Sequence, residues 1–77
     1  MYKKIKTMIT LTFNSTKKTV LVTDESQKII ADYSDVPTVK VREGYYEVMQ
    51  KYTNDLGEVQ IPICRLPISN TIMFLSK

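Results

Sequence analysis

The stretch Arg42 to Arg65, REGYYEVMQKYTNDLGEVQIPICR, constrains the chain most, because it carries both glycines of the protein with a tyrosine-rich run between them. Two periodicities compete in that run. Tyr45, Val48, Met49, Tyr52 and Leu56 recur at helical spacings, with Gly57 where a helix would stop. Tyr46, Val48, Gln50 and Tyr52 share one face of a strand. Cross-strand register separates the two readings, because a hairpin turn fixes which residues face each other. A two-residue turn at Glu43-Gly44 sets Arg42 against Tyr45, Val41 against Tyr46, Lys40 against Glu47 and Val39 against Val48. A second turn over Asn54-Asp55-Leu56-Gly57, a turn-type composition, sets Tyr52 against Val59, Gln50 against Ile61 and Val48 against Ile63. Both turns place Val39, Val41, Tyr46, Val48, Tyr52, Val59, Ile61 and Ile63 on one buried face, and Lys40 meets Glu47 across the ladder. The strand meander is therefore favoured over the helix.

Seventy-seven residues make one domain, 1–77, with no room for a second core. A chain of this size buries only roughly 60–65% of its unfolded surface, so self-association is expected. The single cysteine, Cys64, excludes an intrachain disulfide and fits a reducing cytoplasm. The opening MYKKIKTMITLTF has lysines like a secretory leader, but threonines interrupt its apolar run and no small-residue cleavage site follows. It reads as a strand. No stretch approaches a transmembrane span.

Charge is distributed unevenly. Residues 1–22 hold Lys3, Lys4, Lys6, Lys17 and Lys18 and no acid, while 23–77 hold six basic and eight acidic side chains. This basic N-terminal patch either meets phosphates, as a nucleic-acid-binding module would, or keeps a sheet edge from pairing with its neighbours.

Along the chain, Lys4 to Phe13 alternates with Ile5, Ile9, Leu11 and Phe13 on one side. A turn at Asn14-Ser15-Thr16-Lys17 would pair Phe13 with Lys18, Leu11 with Val20 and Ile9 with Val22. After a turn at Thr23 to Ser26, Gln27 to Tyr33 returns as a third strand, with Val20 opposite Ile29. The competing reading caps a short helix with Asp24 and Gln27. Ser34-Asp35-Val36-Pro37 breaks the pattern and reads as the crossover between two sub-sheets. Pro62 and Pro67 cannot donate to a ladder, so their strand belongs at an edge or ends in a bulge. Ser69-Asn70 makes the last turn, and Thr71 to Leu75 closes the chain with Ile72 and Phe74 on one face and Met73 and Leu75 on the other. Both faces are apolar, and Met73 and Leu75 are the expected self-association residues. The expected fold is all-β, a small antiparallel meander of six or seven short strands forming an SH3-like barrel or a curled sheet.

The chain has no histidine, which removes His-based acid–base catalysis, the Ser-His-Asp and Cys-His arrangements and most zinc sites. Gly44 and Gly57 each sit in a turn, so no phosphate-cradling loop exists. The chain reads as a non-enzyme with no cofactor and no metal. Cys64 beside Arg65 has the makings of an activated thiol; the competing assignment is a small strand residue on the face opposite Ile63. The aromatic and cationic residues Arg42, Tyr45, Tyr46, Lys51, Tyr52 and Arg65 form the candidate ligand or partner site, a mixture suited to stacking on bases or to protein-interface hot spots. Strand alternation sends Tyr46 and Tyr52 to the apolar face and leaves Tyr45 and Lys51 outside, so only part of this cluster forms one site.

The run Leu56-Gly57-Glu58-Val59-Gln60-Ile61-Pro62-Ile63 resembles a segment of the swapped-hairpin transition-state regulators, which bind DNA. The helix and basic residues that follow in that family have no counterpart here. The pattern Gly44-Tyr45-Tyr46-Glu47-Val48, a hairpin, then Leu66-Pro67-Ile68-Ser69-Asn70 and a closing apolar strand, is similar to small all-β proteins encoded by phages. That resemblance implies a phage or mobile-element protein, acting in the cytoplasm of the host cell by binding. The expected function is inhibition of a host protein, a defence component among them, or sequestration of its nucleotide signal. The alternatives are the nucleic-acid-binding module and a small virion structural or assembly protein.

Overall fold

The computed structural model describes residues 8–77; Lys3, Lys4 and Lys6 lie outside the described residues. The elements are β1 (Ile9–Asn14), β2 (Thr19–Thr23), β3 (Ile29–Tyr33), β4 (Thr38–Arg42), β5 (Tyr45–Asn54), β6 (Gly57–Pro67), a single 3-10 turn at Ile68–Asn70, and β7 (Thr71–Ser76). They form a four-stranded sheet in the order β3-β2-β1-β7 and a three-stranded sheet in the order β4-β5-β6. The all-β expectation holds, with seven strands, and the helical reading of Tyr45 to Leu56 is replaced by β5 and the turn that follows it. The two sheets are not closed into a barrel. Nor is the ladder wholly antiparallel, since β7 runs parallel to β1. A long connection frees a returning strand to take either direction, and here the whole second sheet separates the two.

The β4-β5 pairing matches the sequence reading at every position from Val39↔Val48 to Arg42↔Tyr45. Gly44 supplies the φ of +88° that the turn requires. On the other side of β5, Tyr52↔Val59 and Gln50↔Ile61 also hold, but Val48 pairs with Cys64 rather than Ile63 because the register shifts at Val48/Met49. That shift is a β-bulge in β6, next to Pro62, on a strand that lies at the sheet edge as its prolines require.

The first hairpin differs in register. Phe13 pairs with Val20 and Leu11 with Val22, two residues from the expected alignment. The turn is wider because Asn14 Oδ1 accepts from the amides of both Thr16 and Lys17, at 3.0 and 2.8 Å, and Lys18 takes a φ of 59°. A two-residue slip keeps the same side chains inward. The third strand starts at Ile29 rather than Gln27, with Val20 opposite Tyr33 rather than Ile29. Asp24 does act as a cap, but of a loop: its Oδ1 accepts from the amides of Ser26 and Lys28. Ile29 and Ile30 are left exposed.

One core joins the sheets. Leu11, Phe13, Val20 and Val22 from the first sheet meet Val48 from the second, with Val39, Tyr46, Ile63, Cys64, Leu66 and Met73 packed around them. Val36, in the crossover between the sheets, is fully buried in the same cluster. Its backbone N–H donates to the Lys18 carbonyl at 2.9 Å, and Lys51 N–H donates to the Asp35 carbonyl at 2.8 Å. The expected buried face of the meander is covered only in its middle: Val41, Tyr52, Val59 and Ile61 are exposed. For Tyr52, Val59 and Ile61 the cause is a mismatch in length. The strands of the first sheet have five or six residues, β5 has ten and β6 eleven, so at about 3.3 Å per residue the long hairpin outruns its cover. Every residue from Lys51 to Pro62 is exposed, and the molecule is 58 Å long but only 24 Å and 17 Å across.

Candidate functional site

The outward face of the second sheet is where the candidate residues converge. Along β5, Tyr45, Glu47 and Met49 alternate with the core-facing Tyr46 and Val48. Glu47 stands at the centre. Arg65 lies directly across from it on β6, Lys40 directly across on β4 and Arg42 one diagonal away. Arg42 Nε donates to Glu47 Oε1 at 3.1 Å and Arg65 Nε donates to Glu47 Oε2 at 3.0 Å. Each carboxylate oxygen thus takes one arginine, and the cross-strand Lys40 is left outside this clamp.

The side chain of Glu47 is only 6% exposed, against 47% for Arg42 and 60% for Arg65. Both carboxylate oxygens of Glu47 are occupied by the two guanidinium groups. The hydrogen bond from Arg65 holds its pKa below the ordinary carboxylate value, burial opposes that shift, and Arg42 adds to the lowering. A guanidinium has five N–H donors. Both arginines reach Glu47 through Nε, which orients each guanidinium group, and Arg65 is held further by a side-chain hydrogen bond with Tyr45. The guanidinium carbon of Arg65 also lies 5.7 Å from the centre of the Tyr45 ring, within cation–π range. The result is an open sheet face with two oriented guanidinium groups and an aromatic ring around one carboxylate, and with Lys40 at the facing register position on β4.

Of the six residues named from sequence, Arg42, Tyr45 and Arg65 come together. Tyr46 faces the core from the other side of the sheet. Tyr52 points the same way as Tyr46 but lies out on the uncovered hairpin. Lys51 shares the face of Glu47, yet it sits four residues further along β5 and is drawn to Glu58 at 3.7 Å. Glu47 and Lys40 were missed as site residues, although the meander register already placed them opposite each other.

The bulge in β6 decides the outcome. With Val48 opposite Ile63, Arg65 would have faced inward and Cys64 outward. The extra residue reverses both, so Arg65 reaches Glu47 while Cys64 packs on the core side, and the outward placement of Cys64 is corrected. There the hydroxyl of Tyr33, on β3, lies against the thiol. Burial first, and this contact second, raise the Tyr33 pKa above 10.0.

The basic patch retains Lys17 and Lys18 among the described residues, both in the exposed turn after β1. Lys18 lines a recess of about 100 Å³ with Asp35, Pro37 and Lys51. A second recess, of about 240 Å³, runs along Pro62, Ile63, Cys64 and Arg65. Both fall below the roughly 300–1,000 Å³ of a typical small-molecule pocket. Among the described residues no group of three Asp, Glu or Cys side chains comes together as a metal site would need, and no helix is long and apolar enough to cross a membrane.

The two expected self-association residues differ in their surroundings. β7 lies in register with β1, Leu11 beside Met73 and Phe13 beside Leu75, so Met73 and Leu75 share the core-facing side. Met73 packs against the core, whereas Leu75, at the strand's end, is 75% exposed. The outward pair is Ile72 and Phe74, 44% and 55% exposed. Family models, curated proteins and solved structures yield no match to this chain.

Proposed function

We propose that this chain is a non-enzymatic binding protein that docks the Arg42–Glu47–Arg65 face, with Tyr45 and Lys40, onto an acidic surface of a partner protein. The observation that carries this reading is the shared carboxylate: one Glu47, only 6% exposed, holds two guanidinium groups by Nε while both arginines stay substantially exposed, at 47% and 60%. Arginines fixed in this way lose less freedom on binding than mobile side chains, and bidentate arginine contacts to carboxylates are among the stronger polar contacts. An open sheet face suits a protein surface better than an enclosed nucleotide, and tyrosine with arginine is the usual composition of an interface hot spot. The setting we assign, following the likeness to phage proteins, is a host protein as the target, with inhibition, including of a defence component, as the consequence of docking.

Affinity capture from host-cell lysate with the wild type and with an Arg42→Gln, Arg65→Gln variant tests the reading. The expected result is a discrete protein partner whose affinity falls at least tenfold, about 1.4 kcal/mol, in the variant, with the strand-type circular dichroism unchanged. Equal capture by the variant overturns it. So does micromolar binding of a nucleotide, or of DNA or RNA with the steep salt dependence of phosphate contacts, in place of a protein.

A further inference from the structure

A row of unpaired backbone groups along a sheet edge is a template for another strand, and proteins blunt such edges with charges, prolines or bulges. Among the described residues the two sheets have four edge strands: β3, β7, β4 and β6. Edge β3 carries Asp32 and meets β2 across a register shift. Edge β4 carries Lys40 and Arg42, and β6 has Pro62, Pro67 and its bulge. β7, Thr71-Ile72-Met73-Phe74-Leu75-Ser76, has no charge, no proline, no glycine and no register shift against β1. It is the one edge left in the form that pairs.

We infer that β7 pairs with β7 of a second copy of this chain, antiparallel about a two-fold axis, joining the two four-stranded sheets into one of eight strands. The inference rests on β7 alone and is independent of the arginine face. A two-fold perpendicular to the sheet keeps the core-facing sides of both copies together, so residues of like facing must pair. A register centred on Met73 meets this condition and uses nearly the whole strand. It sets Ile72 of each copy against Phe74 of the other on the outward face, and Thr71 against Leu75 on the core side. The three most exposed apolar side chains of β7, Ile72, Phe74 and Leu75, then gain apolar or β-branched neighbours together.

The choice of a second copy over a foreign strand follows from charge and side-chain fit. The chain carries a net charge of +3, yet the flanking outward positions of β1 are Thr10 and Thr12, paired with Ile72 and Phe74, so two copies meet here without opposing cations. The same short sequence also supplies both halves of each apolar pair.

Sedimentation equilibrium combined with amide hydrogen exchange tests the proposal, using the full chain and an Ile72→Lys, Phe74→Lys variant, with Ile72→Lys alone as the milder change. Both side chains point outward, so the circular dichroism should stay that of the wild type. The expected result is a two-chain mass for the wild type at high micromolar concentration and a one-chain mass for the variants. The Met73 and Leu75 amides, which face away from β1, should exchange slowly in concentrated wild type and fast on dilution, whereas the Thr71 amide is already held by the Ile68 carbonyl. A wild type that stays monomeric overturns the proposal, as does a dimer whose β7 edge amides exchange freely or a folded lysine variant that associates as well as the wild type.

Discussion

Val36 donates its backbone N–H to the carbonyl of Lys18 at 2.9 Å, fastening the crossover between the sheets to the turn of the first hairpin while its side chain fills the shared core. Removing two methyl groups from a site with no exposed surface leaves a cavity that the surrounding strands close only in part. Val36→Ala is expected to cost about 2 kcal/mol, read as a lower urea midpoint at unchanged slope. Val41→Ala, on an exposed strand end, should change stability by less than about 0.5 kcal/mol. Equal effects at the two positions would refute the assignment of Val36 as the pin between sheets.

Asp24 closes the loop between β2 and β3 by accepting two amides on one oxygen, from Ser26 at 2.8 Å and Lys28 at 2.9 Å. Asp24→Ala removes both bonds and should cost about 1–2 kcal/mol. Asp24→Asn keeps an acceptor in the same place and should retain most of that stability. Chemical denaturation of the two variants side by side checks the expectation.

What could be read from the sequence divides along a physical line. The second sheet was legible because Glu43-Gly44 and Asn54 to Gly57 are turns whose composition fixes their length, and their two registers agree on one apolar face. The turns after β1 and β2 were misjudged because Asn14 and Asp24 fold extra residues into their loops, a bonding choice that alternation does not report. Facing survived in the first hairpin because its slip is even-numbered, so Leu11, Phe13, Val20 and Val22 were placed correctly inward. The bulge at Ile63 was half visible in Pro62, but alternation alone does not report which residue is extra. That single residue moves Arg65 onto the face of Glu47. Val36 was hidden for another reason: an apolar residue between Asp35 and Pro37 reads as a linker until two sheets close over it.

Tyr33 provides a probe of the contact between β3 and β6. Burial and the Cys64 thiol raise its pKa above 10.0, so the folded chain holds this proton more tightly than the unfolded chain. The associated stability is fully present below pH 10.0 and is lost as pH rises through the folded value. Near-ultraviolet titration of the phenolates should show the Tyr33 contribution, identified by its absence in Tyr33→Phe, ionising above pH 10.0. Its appearance at or below pH 10.0 would show that β3 does not close against Cys64.

Glu47 gives the acid counterpart, and its sign is opposite. The hydrogen bond from Arg65, aided by Arg42 and opposed by burial, holds its pKa below 4.5, so the folded chain gives up this proton more readily than the unfolded one. Its contribution is present above pH 4.5 and is lost as pH falls through the lower folded value. Glu47→Gln keeps the size of the side chain and removes the charge that holds both arginines. The wild type should therefore exceed Glu47→Gln in urea midpoint at neutral pH, and the gap should narrow as pH drops below 4.5. The difference between the two proteins, rather than either curve, is the quantity to follow. Glu47→Gln should also weaken partner binding at neutral pH although it raises the positive charge of the face, because the guanidinium groups lose their anchor. A variant that binds more tightly would mean that net charge, and not the fixed orientation of Arg42 and Arg65, governs recognition.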